Sequence, residues 1–85
     1  MDEKISKILL LGTSLIISTL GGVTKILNIE DKSEISRLFA DGVVTDIVHP
    51  NGYINKILLV GSTELRLFNM ISGNNLFDFH TSEKL

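Results

Sequence analysis

The chain has 85 residues, of which 44% are hydrophobic, and its formal net charge is −2. This length allows one small domain at most, and the apolar content excludes an intrinsically disordered protein. The eight basic and ten acidic residues are interspersed, so the chain lacks the basic stripe of a nucleic-acid-binding domain. Cysteine is absent, which excludes a disulfide framework and favours a reducing compartment.

The first half of the sequence predicts four short strands separated by turns. Runs rich in β-branched and aliphatic residues lie at 5–10, 15–20, 23–29 and 34–39. Gly21 and Gly22 predict a tight hairpin turn, because paired glycines accept the positive φ angles of such turns. The fourth strand has a competing helical interpretation over residues 33–39, in which Ser33 caps the helix.

The second half repeats this order of strands and turns. Strands are predicted at 43–48, 54–60, 64–70 and 75–79, and the strongest turn signal is the run His49–Gly52. The last five residues have no pattern and are expected to be frayed. The predicted organisation is one unit over residues 1–41, a second over residues 42–80, and a tail over residues 81–85.

The two halves are related by a repeat. Residues 23–29 and 64–70 align without a gap at an offset of 41, which pairs Lys25 with Arg66 and Asn28 with Asn69. A repeat of roughly 40–45 residues built only of short strands has the period of a β-propeller blade. The predicted fold class is therefore all-β, with two four-stranded antiparallel blades of a partial propeller.

Two blades are fewer than the roughly four to eight that a propeller contains. Neighbouring apolar residues, such as Ile26 with Leu27 and Ile57 with Leu58, place hydrophobic side chains on both faces of a strand. This pattern is typical of sheets that are covered on both sides. We therefore expect the chain to be a fragment, a truncated product or one segment of an assembly.

The sequence carries no recognisable catalytic, cofactor or metal site. The two histidines, His49 and His80, have no partners at zinc-ligand spacing. Asp46 lies three residues before His49, on the opposite face of an extended strand, which is unsuitable for a catalytic pair. We expect a protein that is not an enzyme and that needs no cofactor, with His49 bracing a turn and Tyr53 packing at the rim.

The second unit resembles a family of WD-repeat proteins. The run from His49 to Leu59, followed by Leu65–Gly73, is similar to a blade in the first propeller of the small-nucleolar-RNA-associated protein 21 family, a subunit of the ribosomal small-subunit processome. Phe68 stands where that family has tryptophan, and Asn69 stands where WD repeats often have aspartate. The residues that carry the resemblance are His49, Pro50, Tyr53, Asn55, Lys56, Phe68 and Asn69.

The resemblance implies a nucleolar scaffold that acts in the processing of small-subunit ribosomal RNA. Its partners would be neighbouring propeller blades or other protein subunits of a ribonucleoprotein assembly, without catalysis and without a membrane. Direct contact with RNA is left open.

Two alternatives share parts of this interpretation. The eight strands could close on each other as a small independent β-sandwich that binds a ligand or protein, in which case the outward faces would be polar. The uncharged run Ile8–Thr24 could instead anchor a short membrane protein as a helical span, although it is slightly shorter than the roughly 20 apolar residues that such a span needs.

Overall fold

The structure, a computed structural model, describes residues 4–40, 42–50, 52 and 54–82. These residues form two four-stranded antiparallel sheets, and no helix is present among them. The first sheet contains β1 (Ile5–Leu11), β2 (Ser14–Thr19), β3 (Val23–Asn28) and β4 (Glu34–Phe39). The second sheet contains β5 (Asp46–Val48), β6 (Lys56–Val60), β7 (Glu64–Asn69) and β8 (Asn75–His80).

Each sheet is a meander in which consecutive strands are neighbours, in the orders β1-β2-β3-β4 and β5-β6-β7-β8. The predicted all-β class is therefore confirmed, and so are the two separate four-stranded antiparallel sheets. The helical interpretation of residues 33–39 is wrong, because Glu34–Phe39 pairs with β3 along its length. Residues 8–24, the alternative membrane span, lie in β1, β2 and the start of β3. Within the described part of the chain, no helix has the length and apolarity needed to cross a bilayer.

Two predicted strands begin later than expected. The strand predicted at 43–48 is paired only over Asp46–Val48, because Val44 turns into the core and is almost fully buried. The strand predicted at 54–60 begins at Lys56, since Ile54 and Asn55 belong to the turn before it. Of the predicted frayed tail, Thr81 is held by a hydrogen bond from its amide to the Thr63 carbonyl at 2.9 Å. Residues 83–85 lie outside the described residues.

A single hydrophobic core lies between the two sheets. The first sheet contributes Ile16, Ile26 and Leu38, all fully buried. The second sheet and the segments beside it contribute Val44, Ile47, Ile57, Leu59, Phe68 and Met70. Burial of side chains of this size stabilises a fold by about 1.5–3 kcal/mol each, so packing between the sheets is the main source of stability.

The core also contains one polar contact within the first sheet. The hydroxyl groups of Ser18 and Thr24 are fully buried and hydrogen-bonded to each other at 2.7 Å. These residues are cross-strand partners on β2 and β3. Each hydroxyl therefore depends on the other for a partner that water cannot supply.

We predict that Thr24→Val destabilises the chain by about 1–3 kcal/mol, because it leaves the buried Ser18 hydroxyl without this partner. The double variant S18A/T24V removes both hydroxyls and should recover much of that loss. The measurement is the free energy of unfolding in urea at one fixed protein concentration. A double variant that loses the sum of both single effects would show that the two hydroxyls do not act as a pair.

Candidate functional site: the two uncovered sheet faces

Each sheet has one face that covers the core and one face that nothing described here covers. Paired strands place cross-strand partners on the same face, so the ladders identify both faces. In the first sheet the covered face includes Leu9, Ile16 and Ile26, which form one row across β1, β2 and β3. In the second sheet the covered face includes Ile57 and Phe68, which are partners on β6 and β7.

Contacts near both edges of the sheets join one sheet to the other. At the β4 end, the Ser36 hydroxyl donates to the Met70 carbonyl oxygen at 2.5 Å. At the β1 end, the Lys7 ammonium lies 3.8 Å from Oδ1 of Asp46 on β5. The sheets therefore contact each other between β4 and the residue after β7, and between β1 and β5 through an ion pair of half-exposed side chains.

The uncovered face of the first sheet is apolar over β1, β2 and part of β3. One row runs from Leu10 to Leu15 to Leu27, and the next begins with Ile8 and Ile17. Leu10 is 56% exposed, and Ile8 is exposed to a similar degree. We call this surface the first uncovered face.

Charges on the first uncovered face are concentrated towards β4. Arg37 donates to both carboxylate oxygens of Glu34, at 3.0 and 2.9 Å. This hydrogen bonding to Arg37 holds the pKa of Glu34 below its ordinary value, and the positive charges of Arg37 and Lys25 act in the same direction. The guanidinium is thus partly neutralised within its own sheet.

The uncovered face of the second sheet is apolar across all four strands. One row consists of Val48, Leu58, Leu67 and Phe77. The adjacent row adds Val60, Leu65 and Phe79, and it ends at the charged Asp46 on the β5 edge. Phe77 is 54% exposed, so this surface, which we call the second uncovered face, presents aromatic rings to solvent.

The sandwich alternative predicted polar outward faces, and that expectation is wrong. The two sheets share one core, as a sandwich would. Their outward faces nevertheless expose large apolar side chains, among them Ile8, Leu10, Phe39, Val48, Phe77 and Phe79. Contiguous exposed apolar surfaces of this kind mark interaction sites in soluble proteins.

The repeat seen in the sequence is also a structural repeat. At the offset of 41, β3 matches β7 and β4 matches β8 in length, and both pairs contain a register shift at the same place. The hydrogen bond from the Ala40 amide to the Gly22 carbonyl recurs from Thr81 to Thr63. The turn after the third strand also repeats a left-handed residue, Lys32 in the first sheet and Gly73 in the second.

Asn28 and Asn69 perform the same task in the two repeats. The side-chain oxygen of Asn69 accepts hydrogen bonds from the amides of Ile71 and Ser72, at 2.9 and 3.1 Å. That of Asn28 accepts from the amides of Glu30 and Asp31, at 2.8 and 3.4 Å. Each asparagine thereby closes the turn between the last two strands of its sheet.

The other motif residues have local structural roles in the described chain. Phe68 is buried in the core. His49 and Pro50 are half-buried in the loop between β5 and β6, where His49 Nε2 lies 3.3 Å from the Ile54 carbonyl oxygen. The Asn55 carbonyl accepts from the Met70 amide at 2.7 Å, and Lys56 pairs across the ladder with Asn69. Tyr53 lies outside the described residues.

The motif residues therefore do not converge on one binding site. The sequence signal that indicated the apolar faces was instead the presence of adjacent apolar residues within strands. That signal did not reveal which of the two faces is covered in each sheet.

A pocket for a small ligand or metal is not evident in the described residues. A cavity of about 150 Å³ lies beside Val44, Leu59 and Glu64, which is below the roughly 300 Å³ at which ligand sites begin. The described residues contain no group of three or more histidines, cysteines, aspartates and glutamates able to hold a metal ion. Arg66, Glu64 and Asp78 form an ion-pair group on the covered face, with Arg66 Nε 3.3 Å from the Glu64 carboxylate.

Comparison with known proteins does not assign the chain to a family. No protein-family model matches it, and no curated protein is significantly similar to it.

We predict that Asn69→Ala destabilises the chain by about 1–2 kcal/mol, since two hydrogen bonds to the turn amides are lost at roughly 0.5–1.5 kcal/mol each. Asn69→Asp keeps an oxygen acceptor at the same position and is the matched control, which should stay close to the parent. Urea unfolding of both variants provides the measurement. Equal losses in the two variants would show that the acceptor oxygen does not stabilise the turn.

Proposed function

We propose that this chain forms two blades of a WD-repeat β-propeller and serves as an interaction scaffold. The observation that supports this most is the direction in which the two sheets stack. Thr24 and Ile26 lie on the covered face of the first sheet, whereas their repeat equivalents Leu65 and Leu67 lie on the uncovered face of the second. The sheets thus stack front to back, as successive blades do.

A two-fold sandwich would bring equivalent faces together. In a front-to-back stack, the front face of one sheet instead packs against the back face of the next. One face at each end of the stack therefore has no neighbour. The apolar character of the two uncovered faces matches this requirement. Contact between β1 and β5, the first strands of the two sheets, also agrees with blades whose first strands approach a common axis.

We further propose that the scaffold acts through protein contacts in the processing of small-subunit ribosomal RNA, in the nucleolus. The support is the resemblance of His49–Leu59 and Leu65–Gly73 to a blade of the processome family. The role of these residues inside the fold agrees with a family pattern that specifies blade architecture rather than catalysis. The proposed partners are neighbouring blades or other protein subunits, which would cover the two uncovered faces.

The test is association of the tagged chain with small-subunit precursor particles in its cell of origin. We expect the parent chain to co-sediment with these particles and to be enriched in the nucleolus, and we expect its depletion to cause unprocessed small-subunit RNA to accumulate. Phe77→Glu should be lost from the particles, because it places a charge within the second uncovered face.

Ile54→Glu is the matched control for this experiment. Ile54 is 81% exposed and lies in a turn outside both uncovered faces, so the same charge there should leave association unchanged. A parent chain that sediments free of the particles, with normal RNA processing after depletion, would contradict the ribosomal role.

A further inference from the structure

Each uncovered face has a covered counterpart in the other sheet. The second uncovered face contains Leu65 and Leu67, which are the repeat equivalents of Thr24 and Ile26 on the covered face of the first sheet. The first uncovered face contains Leu27, the equivalent of the buried Phe68. The two uncovered faces are therefore the repeat equivalents of the two covered faces, which pack against each other inside the chain.

We propose that the second uncovered face binds the first uncovered face of another copy of this chain, head to tail. This inference rests on the propeller part of the proposed function and is independent of the ribosomal part. The partner of each uncovered face is a second copy of the chain, because the two uncovered faces are repeat equivalents of the two faces that pack together within one chain.

The two residues in contact at the β4 end of the internal interface have repeat equivalents that are exposed. Ser36 and Met70 are in contact within the chain. Their equivalents at the offset of 41 are Phe77 on β8 and Ile29 after β3, both of which are exposed. Repeating the internal interface between two copies brings Phe77 of one copy to Ile29 of the next, with the Phe77 ring in the place of the Ser36 hydroxyl.

Charges at the β1 end are complementary in the same way. The ladders place Lys7 and Asp46 at the same position of the two sheets. Lys7 lies in the row of Ser18 and Thr24, and Asp46 lies in the row of Val60 and Leu65. Thr24 and Leu65 are repeat equivalents, so the two rows correspond. Within the chain these two residues form an ion pair. Between copies, the repeated interface places Asp46 of one copy beside Lys7 of the next, so that opposite charges alternate along the stack.

This arrangement is directional, which separates it from a two-fold dimer. A two-fold dimer joins one face to the same face of its partner and leaves the other face exposed. Head-to-tail contact joins two different faces, so each copy can bind two neighbours. If such a stack closes, it contains an even number of sheets, and the roughly four to eight blades of known propellers correspond to about two to four copies.

The experiment uses two variants that each block one face, measured by size-exclusion chromatography with light scattering. Leu10→Glu blocks the first uncovered face and Phe77→Glu blocks the second. We expect the parent chain and the Ile54→Glu control to be oligomeric, and each blocked variant alone to be monomeric. A mixture of the two blocked variants still contains one intact face of each kind, so it should form a dimer with one copy of each.

Circular dichroism spectra that match the parent would show that the blocked variants keep their strands. The proposal is overturned if the folded parent is monomeric or if the mixture stays monomeric. It is also overturned if one blocked variant remains a dimer by itself, since that is the behaviour of a two-fold interface. A monomeric parent that still joins precursor particles would refute self-assembly while leaving the proposed function intact.

A cross-link provides an independent readout, because the chain has no cysteine of its own. Under mild oxidation, a mixture of Ile29→Cys and Phe77→Cys chains should form a disulfide-linked dimer containing one chain of each variant. A mixture of Ile54→Cys with Phe77→Cys is the matched control and should form markedly less of it. Equal cross-linking in both mixtures would overturn the proposed alignment of the faces.

Discussion

The structure depends on the packing of one apolar face of each sheet into a shared core, although both sheets carry apolar side chains on both faces. An antiparallel sheet with one polar face can stand against a single core. Here Ile26 and Leu27 point to opposite faces of β3, and Leu58 and Leu59 do the same on β6. Each sheet therefore covers one face of the other, and the opposite apolar faces are exposed.

This constraint also explains why polar groups occupy the places they do. Two of the buried hydroxyls on the first sheet, those of Ser18 and Thr24, are hydrogen-bonded to each other. The ion-pair group around Arg66 lies on β7 and β8, away from β5 at the other side of the sheet. Polar residues in both sheets therefore occur largely in pairs, such as Ser18 with Thr24 and Arg66 with Glu64.

Much of the fold could be predicted from the sequence, because strand patterns and turn residues are local signals. The repeat between residues 23–29 and 64–70 correctly located the third strand of each sheet, and adjacent apolar residues indicated two-sided burial. The late start of β5 was not predictable, since the burial of Val44 in the core is a tertiary feature that the local pattern of residues 43–48 does not show. The stacking direction was also not predictable, because Ile26 and Leu27 are equally apolar and only tertiary packing decides which is covered.

The described motif residues that carry the family resemblance have structural roles in the fold and do not form one exposed binding site. Phe68 is buried in the core, and the Asn69 side chain closes a turn by accepting hydrogen bonds from two of its amides. The equivalent Asn28 does the same in the first sheet, where the surrounding sequence is otherwise different. A residue retained at the same place in two dissimilar repeats, with the same hydrogen bonds, is explained by the architecture that both repeats share. The second uncovered face differs from its covered counterpart in the first sheet, since Leu65 and Phe77 stand where the first sheet has Thr24 and Ser36.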